Sequence, residues 1–144
     1  RKQRLSLGEV KILGRSATCQ THEVTVVLGK TRTMTKSWYS PDVAPYFLKQ
    51  LVRISGEMPR HTAMEVIKLN ASRQVGSRKL VGWEARTTVA DRTGRTQTIS
   101  FHSLDIPGGL VASEGDIRNR EKARVGRRIV MLDAFHVEPV QPNK

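Results

Sequence analysis

The strongest constraint on this chain is that it contains itself twice. Arg32-Thr33-Met34-Thr35-Lys36-Ser37-Trp38-Tyr39-Ser40-Pro41-Asp42-Val43 returns 63 residues on as Arg95-Thr96-Gln97-Thr98-Ile99-Ser100-Phe101-His102-Ser103-Leu104-Asp105-Ile106. Arg, Thr, Thr, Ser, Ser and Asp recur in place, and Trp/Phe and Val/Ile recur in kind. The same ungapped offset pairs Arg15 with Arg78, Thr25-Val26 with Thr88-Val89, Ile54 with Ile117, Leu69 with Leu132 and Ala71 with Ala134. The chain therefore reads as two tandem copies, residues 9–71 and 72–134. A unit that small buries too little surface to be stable alone. The two copies are expected to share one core within a single domain spanning residues 1–144.

Local pattern points to strands. Threonine and valine are plentiful and helical periodicity is scarce. Glu9 to Leu13 alternates charged and apolar residues, and Val24, Val26 and Leu28 share one parity before a Gly29-Lys30 turn. In the repeated strand, Arg32, Met34, Lys36 and Trp38 fall on one face, and Thr33, Thr35, Ser37 and Tyr39 on the other. Trp38 and Phe101 are equivalent and expected in the core. Ser40-Pro41-Asp42 has the chemistry of a helical-turn start, with Ser as cap, Pro at the first position and Asp at the positive end. Ala44-Pro45 and Pro107-Gly108-Gly109 cut it short, so one compact turn is expected in each copy. Further strands are expected over Tyr46–Ile54, Thr62–Asn70, Gln74–Leu80, Gly82–Ala90 and Arg127–Val137, with Asp91 to Gly94 as a turn. Arg1 to Gly8 reads as a poorly ordered lead-in, Ser113 to Gly126 as a mobile loop or short exposed helix, and Pro139 to Lys144 as a tail. The expected fold class is all-β with minor helix: two pseudo-symmetric antiparallel units in one curved sheet or half-barrel.

These residues also suggest a family. Copy two carries Gly76-x-x-x-Leu80-x-x-Trp83, then Phe101-x-Ser103-x-Asp105-Ile106-Pro107-Gly108-Gly109-Leu110-Val111, and a final strand ending Phe135-x-Val137-Glu138. Copy one carries Lys36-x-Trp38-Tyr39-Ser40-Pro41-Asp42-Val43-x-Pro45. Together they resemble the W-x-S-P-D-V-P-G-G-L-V pattern of exported bacterial β-domains, similar in fold to lipoprotein-carrier half-barrels. The resemblance implies a curved antiparallel sheet with a concave apolar face, a location in the periplasm or at the cell surface, and no catalytic residues. Trp38, Ser40 and Asp42, with Phe101, Ser103 and Asp105, are its structural motif. Copy one departs from the pattern at Ala44-Pro45-Tyr46, which argues against identical turns in the two copies.

The formal charge is +12, which favours anionic partners: nucleic acid, acidic glycans, lipid surfaces or acidic protein. Arg118, Arg120, Arg124, Arg127 and Arg128 form the densest basic stretch and are the candidate anion-binding residues. Trp38-Tyr39 between Arg32 and Lys36 is the one stretch that could stack bases; the competing reading packs Trp38 inward. Asp42 and Asp105 lack the Asp-Thr/Ser-Gly setting of an acid–base dyad, and turn capping accounts for them. His22, His61, His102 and His136 have no metal-ligand spacing. There is no nucleophile elbow and no phosphate-cradling glycine loop, so neither an enzyme nor a cofactor is expected. Cys19, the single cysteine, is expected to be a buried apolar residue. No apolar run reaches membrane-spanning length. The reading is a non-enzymatic exported binding or carrier module for an anionic or apolar ligand. The alternative is a cytoplasmic nucleic-acid-binding module.

Overall fold

The computed structural model describes residues 1–132 and 134. They form nine antiparallel strands in one open sheet, in chain order: β1 (Lys2–Ile12), β2 (Arg15–Leu28), β3 (Thr31–Tyr39), β4 (Phe47–Ser55), β5 (Arg60–Val75), β6 (Arg78–Ala90), β7 (Gly94–His102), β8 (Leu110–Asn119) and β9 (Arg124–Met131). Every strand pairs only with its chain neighbours. The molecule is all-β, as expected. The minor helix is not: among the described residues no helix forms, and both serine-aspartate segments are turns.

The 63-residue offset governs the backbone. β3 and β7 begin and end at equivalent residues, and each breaks register at the same place, Trp38/Tyr39 and Phe101/His102. The turns that follow close with the same hydrogen bonds. The Ser40 N–H donates to the Tyr46 carbonyl (2.7 Å) and the Tyr46 N–H to Val43 (2.7 Å); the Ser103 N–H donates to Gly109 (2.8 Å) and the Gly109 N–H to Ile106 (2.8 Å). The departure at Ala44-Pro45-Tyr46 therefore leaves the closure unchanged. Tyr46 takes up φ 69° where Gly109 has φ 75°. The β1–β2 turn places Leu13 and Gly14 at φ 48° and 81°, the two positive values that match a two-residue hairpin to strand twist. Gly76, at φ 55°, fills Leu13's place in copy two.

In place of the single shared core expected, the buried side chains build two equivalent cores. In copy two, Ala71, Val75, Leu80, Phe101, Ile106 and Val111 pack together, with Leu132 against them. In copy one, Ile12, Ala17, Trp38, Val43, Leu48 and Leu69 occupy equivalent places and are joined by Val10, Cys19, Val66 and Trp83. Trp83, from β6, thus completes the core of copy one. Val10 of β1 and Val66 of β5 meet in that core although three strands lie between them, so the sheet curls. β5 crosses the copy boundary as one strand. Its first part pairs with β4, and its length from His61 to Val75 pairs with β6.

Three segments differ from expectation. The lead-in is ordered: Lys2 to Gly8 belong to edge strand β1, held along β2 by backbone bonds that do not depend on side-chain polarity. Ser113 to Gly126 is neither mobile loop nor helix. It is most of β8, a tight turn and the start of β9, because Asp116 and Glu114 find Arg124 and Arg127 on the next strand (2.7 and 2.5 Å). Gln74 to Leu80 is not one strand, since Gly76-Ser77 turns the chain between β5 and β6. The expected course of the last strand from Phe135 to Val137, His136 and the Pro139–Lys144 tail lie outside the described residues.

Candidate binding faces of the sheet

Register turns the sequence into rows that cross the sheet. On one face, Gln3, Val24, Thr35, Val52, Thr62, Val89, Thr96, Ile117 and Gly126 stand side by side, one per strand, without a charge. The next row, Leu5, His22, Ser37, Gln50, Met64, Thr87, Thr98, Gly115 and Arg128, carries only Arg128 as a formal charge. This is the threonine-serine side read from the repeated strand. The opposite face is charged. Its rows include Arg4, Glu23, Lys36, Asp116 and Arg127 in one, and Lys49, Glu65, Arg86 and Glu114 in another.

The charged face holds a groove of about 1020 Å³ over β6–β9. Phe101 lies at its inner end, and Ile99, Ile129 and Met131 give it an apolar floor. Ile129 and Met131 are more than half exposed there. Arg73, Arg95, Arg118, Arg120 and Lys122 line it alongside Glu84, Asp91, Glu114 and Asp116. The acidic part of its rim is particular to copy two, because the positions of Glu114 and Asp116 are Leu51 and Arg53 in copy one.

The five candidate arginines do not converge. Arg118 and Arg120 line the groove. The Arg120 Nε donates to the Arg92 carbonyl, and Arg118 Nη1 donates to the Lys122 carbonyl (3.2 Å). Arg124 and Arg127 are ion-paired across the β8–β9 hairpin. Arg128 stands on the other face, opposite Gly115. Sequence clustering brought them together; strand alternation and pairing separate them.

The motif residues act as structure. Phe101 is buried, whereas Trp38 is half-buried, with one side against the core and Lys36 and Lys49 Nζ 5.2 and 5.4 Å from its ring centre. Ser40 and Ser103 are buried. The Ser103 hydroxyl donates to the Val81 carbonyl (2.8 Å) and accepts from the Asp105 N–H (3.3 Å), so it ties the turn to β6. Asp42 and Asp105 are exposed in separate turns, between β3 and β4 and between β7 and β8.

The histidines are also dispersed. His102 stacks on Trp83 with ring centres 5.5 Å apart, its Nε2 is 2.8 Å from the Ser100 hydroxyl, and burial lowers its pKa. Among the described residues no group of histidine, cysteine and acidic side chains is placed to hold a metal. Cys19 is buried, as expected, and burial raises its thiol pKa.

Sequence reasoning missed Ile99, Ile129, Met131 and Arg95 as groove residues, although the even spacing of Ile99 and Phe101 along β7 was a usable signal. No family model, curated protein or solved structure matches the chain.

Proposed function

We propose that this chain is a non-enzymatic binding module of an exported bacterial protein, and that it seats its ligand in the groove of copy two. One observation carries the reading: Ile99, Ile129 and Met131 lie open as an apolar floor, with buried Phe101 also in the lining, among charged side chains. A concave apolar floor supplies the affinity and a few placed polar groups the orientation. Glu114 and Asp116, ion-paired with Arg127 and Arg124, support a charged rim. The ligand this fits is elongated, with an apolar body and a polar head, as a carrier's cargo would be. Export is supported by the resemblance of the Trp38–Val43 and Phe101–Val111 motifs.

The test is titration with an environment-sensitive acyl probe. Binding should be saturable, and Ile129→Glu should weaken it about tenfold, the equivalent of about 1.4 kcal/mol. Leu5→Glu, a change on the uncharged face of β1, should leave it unchanged. Absence of saturable binding, or equal binding by Ile129→Glu, would remove the groove reading. Cell fractionation of the protein expressed from its own gene tests export: recovery in the cytoplasm would refute it and favour the nucleic-acid alternative.

A further inference from the structure

One row of the charged face crosses all nine strands without an acid. In order it is Lys2, Thr25, Met34, Arg53, His61, Ala90, Arg95, Arg118 and Arg124. We propose that this row is a docking track for an acidic polysaccharide, laid across the strands near the β2–β3 and β8–β9 hairpin tips. The inference goes beyond the groove reading. The track shares Arg95 and Arg118 with the groove rim but continues past it to Arg53 and Lys2.

Four observations carry it. Among the described residues, no carboxylate lies within ion-pair reach of Arg53, Arg95 or Arg118, while Arg124 shares its charge with Asp116. The field is one-sided, because the two central rows of the opposite face carry Arg128 alone. Adjacent strands lie about 4.8 Å apart, close to the advance of one sugar unit along an extended glycan. Acidic groups on successive sugars can therefore meet Arg95, Arg118 and Arg124 on the successive strands β7, β8 and β9, and groups further along can meet Arg53 and Lys2, three and six strands from Arg95. Finally, the row contains no Phe, Tyr or Trp and a single ring, His61, so it offers a run of bases no continuous stacking platform, and this favours a glycan over single-stranded nucleic acid. The guanidinium forks suit the planar carboxylate of a uronate and the oxygens of a sulfate ester alike.

The experiment is calorimetric titration of the intact chain at about 0.15 M salt, where surface charges are screened over about 8 Å. The probes are heparin, polygalacturonate, dextran and oligo-dT. Heparin or polygalacturonate should bind, which also separates sulfate from carboxylate as the preferred group, and dextran should not. Arg53→Gln/Arg95→Gln/Arg118→Gln should weaken glycan binding roughly tenfold or more, as loss of charge-assisted contacts requires. Arg128→Gln, the same change on the other face, should have no effect. All three track positions are exposed, so their circular dichroism and melting should match the parent. Tighter binding of oligo-dT than of either glycan, equal glycan binding by the triple variant, or no binding by any probe would each overturn the proposal. Ile129→Glu should weaken acyl-probe binding about tenfold and leave glycan binding intact. If Ile129→Glu abolishes glycan binding while Arg53→Gln leaves it unchanged, the glycan sits in the groove, and the track fails while the groove reading stands.

Discussion

Replacing Gly82 with alanine should be among the most damaging single-methyl additions to this sheet. A Cβ at residue 82 would stand 1.7 Å from the His102 carbonyl oxygen, 2.8 Å from its carbonyl carbon and 3.1 Å from the Ser103 Cα. All three are backbone atoms, so no rotamer relieves the contact. The end of β7 must retreat by more than an ångström to reach van der Waals distance. That retreat pulls on Ser103, whose buried hydroxyl donates to the Val81 carbonyl at 2.8 Å. Overpacking costs about 1–3 kcal/mol, and a buried polar group left without its partner costs about 1–3 kcal/mol. The expected loss is about 2–6 kcal/mol, which lowers the melting temperature of a chain this size by roughly 6–18 °C. Differential scanning calorimetry reads it directly. The same position in copy one is Cys19, where a side chain fits, so Cys19→Ala should cost only about 1 kcal/mol. A Gly82→Ala melting temperature within about 2 °C of the parent would show that the strand end yields freely, and the argument would be wrong.

Phe101→Ala should cost about 3–5 kcal/mol in denaturant titration, and Trp38→Ala less, because Phe101 is enclosed in its core while Trp38 is half-exposed under two lysines. His102 has its pKa lowered from 6.5 by burial. The folded state therefore resists a proton that the unfolded chain accepts. Stability should be full above pH 6.5 and decline as pH falls through the lower folded value, and His102→Gln should flatten that slope between pH 7.5 and 5.5 in thermal melts. The Cys19 thiol, buried and with a raised pKa, should resist iodoacetamide in the folded chain and react once denatured, as read by mass spectrometry.

The repeat made much of the fold legible. The offset that joins Thr33 to Thr96 also joins the ends of β3 to those of β7, and Trp38 to Phe101 as core positions. What stayed hidden depends on pairs and not on single segments. Lys2-Gln3-Arg4 has no apolar signal of its own, yet β2 offers it a backbone edge. Glu114 and Asp116 look like loop residues until Arg127 and Arg124 face them across a hairpin, where opposite charges stabilise cross-strand pairing. The arginine cluster is divided between faces for the same reason. Proximity in sequence within a strand alternates between faces, and the shared row of Arg53, Arg95 and Arg118 joins residues far apart in the chain.

The order of the strands along the chain is also their order in space. A chain leaving the ribosome can therefore add each strand to an edge already in place, with no strand waiting for a partner still to be made. Closing each hairpin takes only a short loop, and such local closures are fast. The exception is the core of copy one, which lacks Trp83 until β6 has emerged. The first half of the protein should thus be extended sheet before it is packed sheet. Its last strand at any moment is an open edge, so the growing end is where this fold is most exposed to mispairing.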